Sequence, residues 1–336
     1  MHSDASNVPV EATQASTAGL TVLVLACDRP VWLKRALESL VEQTYGDINV
    51  VVTDDSTTSE SQAVSDAFHD QRLTWTKGPR RGQLQNLLHG FECLNTEFFT
   101  ILHDDDWLAP DTLARLMAPM LEDSTVDISC AAISEVDDTD RVLADLTNTR
   151  ARARELFGLR PGLTRLSAKE TRRALVIGQI VSPFLGTIFR TATFPKSIPL
   201  ETGPLADYWI LATFAKNPIN VYYDPDALAY YRLHGDPAMR HGLEVSTLQQ
   251  IVNPLLLDPY FEDVHSELRA KLFQYEFRSI LKSIHHGLPH ETRRLLTTVS
   301  NDMPSRYRLL ARALALPGAN SVAKRILRKR WSRPDT

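Results

Sequence analysis

Three consecutive carboxylates, Asp104, Asp105 and Asp106, follow the apolar run Phe98-Phe99-Thr100-Ile101-Leu102, with His103 before them and Trp107 after. Adjacent negative charges repel one another. Unless they are solvated at a loop tip they need a positive partner, and a hard divalent cation with oxygen ligands fits. A second pair, Asp54-Asp55, closes the apolar run at residues 48–53, and Asp28 follows the run at residues 21–26. In open α/β sheets ligands collect beyond the carboxyl ends of strands, a position all three acidic groups share. The competing structural reading of residues 104–106 is an acidic turn opening a helix, because Leu113, Leu116, Met117, Met120 and Leu121 follow at helical spacing.

The elements that must hold these acids follow from the hydrophobic pattern. Residues 21–26 read as a buried strand leading to a helix with Leu33, Ala36, Leu37, Leu40 and Val41 on one face, and Asp28 and Pro30 suit its start. Strands are expected at residues 48–53, 73–75 and 98–102, with helices between them. Strand alternates with helix four times, which implies a parallel sheet covered on both faces by right-handed crossovers. An antiparallel pair is expected at 128–134 and 141–143, around the acidic turn 137–140, and further strands at 186–190, 221–223 and 227–232.

Residues 150–173 are strongly basic, a solvated insertion or else a basic lid over anionic phosphates, and Ser167 and Glu170 have the spacing of a capping box. The loop at 195–205, rich in proline, delivers Asp207-Tyr208-Trp209 to a helix start. By itself Asp207 reads as a helix cap. Beyond residue 243 the pattern is helical, and the tail at 324–331 is basic and amphipathic, a solvated helix end or a peripheral contact with an anionic membrane surface.

Composition narrows the class. An apolar fraction of 43% with 23% charged residues is that of an ordinary globular protein, and a net charge of -4 gives no global basic excess for nucleic acid. Cys27, Cys93 and Cys130 lack paired spacing, which speaks against a zinc site or disulfide framework and for a reducing, cytoplasmic setting. Residues 1–19 read as a disordered leader. The apolar stretch at 175–189 is interrupted by glycine, glutamine, serine and proline and is too broken for a membrane span.

The stretches TVLVLACDRP, VVVTDDST, GQLQNLLHGF, FFTILHDDDWL, LADYWI and YYRLHG, in that order, resemble the inverting glycosyltransferase family 2 of GT-A fold over residues 21–235. The resemblance implies an α/β domain at residues 20–243 with a mostly parallel sheet flanked by helices, and a helical C-terminal extension at 244–336. It implies a nucleotide-sugar donor, with uridine diphosphate the commonest carrier, an acceptor with a free hydroxyl, and Mn²⁺ or Mg²⁺. Asp28, Asp54, Asp55 and Asp104 would face the nucleotide, Asp105 and Asp106 the metal, and His234 the diphosphate. The residue at 103 is histidine where the family's motif commonly has aspartate, so the division of labour among residues 103–106 stays open. Asp207 matches the family's general base, with Ala206 in place of the usual glutamate. Tyr208, Trp209 and Trp107 are candidates for a sugar-facing wall or for core packing.

Two other classes fit the pattern less well. A sugar-phosphate nucleotidyltransferase would carry a glycine-rich basic loop after the first strand, and CDRPVW has no glycine. A non-catalytic nucleotide-sugar-binding scaffold is hinted at only by His103 and Ala206.

Overall fold

The apolar run of β1 (Leu20–Ala26) is buried along its whole length, which puts it inside a sheet rather than at an edge. In the computed structural model, which describes residues 19–195, 197–233, 245–285, 288–298 and 303–314, β1 pairs in parallel with β2 (Ile48–Asp54) and β4 (Phe98–His103). β3 (Leu73–Lys77) adds a parallel strand beside β2. The expected alternation is realised by α1 (Pro30–Val41), α2 (Glu60–Asp66), α3 (Gln83–Glu92) and α4 (Thr112–Glu122).

Alternate side chains of β1 serve opposite faces. Val22 and Val24 share a core with Leu33, Ala36, Leu37 and Leu40 of α1, whereas Leu23 and Leu25 join Leu84 and Leu87 of α3. Gly90 lets α3 come close, since a Cβ there would lie 2.5 Å from Leu23 Cδ1.

Past β4 the sheet becomes mixed. It contains β5 (Trp107–Leu108), β6 (Ile128–Val136), β7 (Gly162–Leu166), β8 (Thr187–Arg190) and β9 (Ile219–Arg232), in the order β3-β2-β1-β4-β8-β6-β9-β5 with β7 also on β9. Two strands expected around residues 224–226 are one strand. β9 continues through a bulge where its register on β6 passes from Ala131↔Asp224 to Ala132↔Leu228. The expected antiparallel pair at 128–134 and 141–143 shrinks to a bridge between Val136 and Val142, because β8 occupies that edge of β6 at residues 128–130 and β9 runs along the other edge.

The basic stretch is solvated along most of its length, with Arg152, Arg160, Arg165, Lys169 and Arg173 exposed, but two of its arginines are built into the fold. Arg154, on α5 (Ala144–Leu156), is buried with Nε donating to Ile180 O at 3.1 Å, and Arg172 pairs with Asp263 at 2.7 Å. The capping box forms: Ser167 Oγ accepts from Glu170 N and the Glu170 carboxylate accepts from Ser167 N, opening α6 (Ala168–Thr171). A π-helical turn, Arg172–Ile177, continues from it.

α7 (Ala206–Phe214) then precedes β9. The last helices are α8 (Val245–Leu257), α9 (His265–His285), α10 (Pro289–Thr298) and α11 (Ser305–Leu314). Leu248, Ile251, Leu268 and Leu272 of α8 and α9 share one core with Ile210 and Leu211 of α7, so the helical layer is continuous with the sheet's own core. Among the described residues no helix is long and apolar enough to cross a membrane. His234, residues 1–18 and the basic tail at 324–331 lie outside the described residues.

Candidate active site

Parallel register places the carboxyl ends of three strands side by side, with Ala26 opposite Asp54 and Leu25 opposite His103. The acids of all three strand ends therefore crowd one edge of the sheet. Asp28 has a left-handed backbone (φ 52°) that turns the chain out of β1. Its Oδ1 accepts from Thr57 N at 2.8 Å and from Thr57 Oγ1 at 3.0 Å, which ties this loop to the one after β2.

Asp54 and Asp55 are buried and shape the next wall. Asp54 Oδ1 accepts from Ser56 N at 2.9 Å and Oδ2 from Trp75 Nε1 at 3.1 Å. Asp55 accepts from two backbone donors, Arg80 N at 2.6 Å and Gly82 N at 2.8 Å, and so holds the loop between β3 and α3. Gly78 is required beside them. A Cβ there would meet Asn86 Oδ1 at 2.4 Å, Asp55 Oδ1 at 2.7 Å and Asp54 O at 3.0 Å.

The three carboxylates after β4 have separate surroundings. Asp104 is fully buried, accepts from Cys27 N at 2.8 Å, and pairs with Arg29 at 2.6 Å. Burial pushes its pKa up to about 7 against the pull of Arg29. Asp105 also pairs with the Arg29 guanidinium. Asp106 Oδ1 accepts from Arg232 N at 3.0 Å, and burial together with the neighbouring Asp105 charge drives its pKa well above the usual carboxylate range.

His103, Asp105 and Asp106 each present one ligand atom, and these atoms all lie within 4.8 Å of one another. The set fits a divalent cation. Two carboxylates and an imidazole suit Mn²⁺, the two carboxylates alone suit Mg²⁺, and a buried Asp106 whose proton affinity is raised is a group that a cation would stabilise in its charged form. Gln83 Nε2 lies 3.0 Å from His103 Nε2 and fixes the ring orientation.

Asp207 occupies the first turn of α7 rather than its cap, with Oδ1 accepting from Tyr208 N at 2.7 Å. Burial raises its pKa, a larger effect than the backbone hydrogen bonds and the Lys271 charge that lower it. Tyr231 precedes Arg232, whose N–H is held by Asp106, and burial pushes its hydroxyl up to about 12, with added repulsion from the Asp106, Asp105 and Asp207 charges.

Several contributors were not singled out from the sequence. Arg29 stood unread inside the CDRP stretch, and Arg232 inside YYRLHG. Lys271, on α9, donates to Val176 O, Ile177 O and Gln179 Oε1 at 3.3, 2.9 and 2.9 Å and lies 5.3 Å from the Tyr208 ring. Nothing in a helical lysine announces that role. Among the aromatic candidates Trp107 is buried and stacked on Tyr230 at 4.8 Å, and Tyr208 is buried in the core. Both are packing residues.

Residues 21–190, just over half of the chain, match the model of glycosyl transferase family 2, a match that ends before Asp207. The GalNAc(5)-diNAcBac-PP-undecaprenol beta-1,3-glucosyltransferase of Campylobacter jejuni is 29% identical over 102 residues, 29% of this chain and 33% of its own. Glycosyltransferase GlyA of Streptococcus pneumoniae is 26% identical over 105 residues, 31% of this chain and 15% of its own. The chain thus spans a third or less of the length of these two relatives. Of solved structures, S. aureus TarS 1-349 in complex with UDP-GlcNAc superposes with a TM-score of 0.59 at 16% identity, covering 94% of this chain and 91% of that one. Identity that low speaks for the fold alone, an α/β sheet of GT-A type with a helical C-terminal region.

Proposed function

For a chain that belongs to glycosyl transferase family 2, we propose the transfer of a sugar from a nucleotide diphosphate to an acceptor hydroxyl, with inversion at the anomeric carbon and dependence on Mn²⁺ or Mg²⁺. One observation carries this reading: parallel register brings the acids at the ends of β1, β2 and β4 to one end of the sheet, where His103, Asp105 and Asp106 converge.

In this reading Asp28, Asp54 and Asp55 shape the nucleoside end, and a uridine carrier is favoured. Asp104 holds Arg29 where its guanidinium faces the diphosphate, and His234 contributes from the following segment. Asp105 and Asp106, with His103, would hold the cation, which when bound supplies positive charge against the departing diphosphate. Asp207 takes the proton from the acceptor hydroxyl while that oxygen bonds to the anomeric carbon. The bond from that carbon to the phosphate oxygen breaks, and its electron pair leaves with the nucleotide diphosphate. A buried carboxylate of raised proton affinity is a better base for an alcohol than a solvated one. The free Cys27, Cys93 and Cys130 suit a reducing compartment such as the cytoplasm.

Asp207→Asn tests the assignment. Nucleotide release measured with donor and acceptor is expected to fall by about 10² or more, with donor affinity by calorimetry unchanged. A rate near wild type would move the base elsewhere.

A further inference from the structure

Arg29 stands at the start of α1 on a backbone that the fold holds in place. Leu33 N donates to Arg29 O at 2.9 Å in the first turn of the helix, and the two residues before it are tied down by Cys27 N donating to Asp104 Oδ2 and Asp28 N to Ser56 Oγ, both at 2.8 Å. The side chain has more freedom. It is 28% exposed, whereas the Arg232 side chain is 3% exposed and committed to Asp105 O, Asp137 O and Asp140.

Its guanidinium spans two carboxylates. One terminal nitrogen pairs with Asp104 Oδ1 at 2.6 Å and the other with Asp105 Oδ2. Asp105 is also one of the three groups whose ligand atoms converge within 4.8 Å. The same carboxylate therefore serves a permanently charged side chain, since an arginine cannot shed its proton, and a cluster that fits a divalent cation.

A guanidinium and a cation that share Asp105 repel each other, and the repulsion grows where water is partly excluded. A diphosphate removes the conflict. Its oxygens accept charge-assisted hydrogen bonds from a guanidinium and ligate a hard cation at the same time, so Arg29 exchanges a carboxylate partner for a phosphate partner of the same kind.

We propose that Arg29 makes cation binding conditional: it holds Asp105 against a divalent cation that arrives alone and gives it up to one that arrives with a diphosphate, so that cation and nucleotide bind as a pair. The diphosphate half rests on the transfer reaction proposed above. The half that concerns the cation alone rests on the Arg29–Asp105 pair and the convergence of Asp105 with His103 and Asp106.

Calorimetric titration of the full chain with Mn²⁺, alone and with saturating UDP, tests both halves, and the paramagnetic resonance signal of free Mn²⁺ measures the bound fraction independently. Arg29→Gln removes the charge but keeps a donor for Asp104, and Arg29→Lys keeps the charge. Wild type is expected to bind Mn²⁺ about tenfold or more tightly with UDP than alone, a coupling of ordinary size. Arg29→Gln is expected to bind Mn²⁺ alone about tenfold or more tightly than wild type and to lose most of the gain from UDP, and Arg29→Lys to behave as wild type in both. An unchanged affinity of Arg29→Gln for Mn²⁺ alone overturns the proposal even where its UDP binding falls, because Arg29 would then be a phosphate ligand and nothing more. Equal Mn²⁺ affinity of wild type with and without UDP overturns it with no variant needed, so a misfolded Arg29→Gln does not shield it. Failure of wild type to bind UDP sinks the nucleotide reading instead, while the Mn²⁺ titrations without nucleotide still decide whether Arg29 guards Asp105.

Discussion

The backbone N–H of Arg232 donates to Asp106 Oδ1 at 3.0 Å, joining the end of β9 to an acid 126 positions earlier in the chain. The arginine side chain reinforces the joint. Its Nε donates to Asp105 O at 3.2 Å, its NH2 pairs with Asp140 at 2.6 Å, and its guanidinium lies 4.9 Å from the Trp107 ring. With the residue 4% exposed, this arrangement is part of the core that supports the acid cluster.

Arg232→Ala keeps the backbone N–H that holds Asp106 but leaves the Asp105 and Asp137 carbonyl oxygens without their donors and takes the guanidinium off the Trp107 ring. Leaving a buried acceptor unsatisfied costs about 1 to 3 kcal/mol, and a destabilisation of that order is expected in urea unfolding. Arg232→Lys should recover only part of it, because an ammonium lacks the planar fork that reaches three partners at once.

Chelation should separate the cation's part from that of the protein scaffold. EDTA is expected to abolish transfer, and Mn²⁺ or Mg²⁺ to restore it. Asp106→Asn, which keeps the shape and an oxygen for Arg232 N but removes the charge, should weaken Mn²⁺ binding about tenfold or more while leaving the melting temperature close to wild type. Full activity in chelator would remove the role given to Asp105 and Asp106.

The pH dependence of transfer should carry the mark of Asp207 and Lys271. Burial raises the Asp207 pKa and lowers that of Lys271 to about 8, and each opposes the other's shift through its charge. Below its pKa Asp207 is protonated and cannot accept a proton, so activity is lost as pH falls, at a higher pH than a solvated aspartate would give. The ammonium lies over the Tyr208 ring and donates to Val176 O, Ile177 O and Gln179 Oε1. Lys271→Met removes the positive charge, raises the Asp207 pKa further, and should move the acidic limb of kcat/KM to higher pH. Lys271→Arg keeps the charge and should leave the limb near that of wild type. A limb unmoved by Lys271→Met would disconnect α9 from the chemistry.

How much of this was legible in the chain depended on distance along it. β1, β2 and β4 announced themselves because each is an apolar run followed by carboxylates, and a pattern repeated at three strand ends fixes one end of the sheet. Asp207 was legible only through a family position, since its local sequence is that of any acid opening a helix. Lys271 was not legible. It is an ordinary charged residue in its own segment, and its importance comes from burial against an element more than ninety residues earlier. The single strand β9 was split in the sequence reading because Asp224-Pro225-Asp226 has turn chemistry, and a bulge uses the same residues without ending the strand. The π-helical turn at Arg172–Ile177 likewise has no composition of its own.

Gly78 offers the sharpest test of the nucleoside end proposed for Asp54 and Asp55. Its N–H donates to Asp54 O at 2.8 Å, and the space where a Cβ would go is already taken by Asn86 Oδ1, Asp55 Oδ1 and Asp54 O. The two side-chain atoms cannot simply swing aside. Asp55 is committed to the Arg80 and Gly82 backbone amides, and Asn86 donates to Thr53 O at 2.8 Å. Gly78→Ala should therefore displace the loop that Asp55 holds, with a stability loss of about 1 to 3 kcal/mol by analogy with overpacked cores. Nucleotide affinity by calorimetry should fall with it, while Mn²⁺ binding at the end of β4 is retained. Equal loss of both would mean that the two ends of the edge fold as one unit, and no loss of either would mean that Asp54 and Asp55 do not shape a nucleoside pocket.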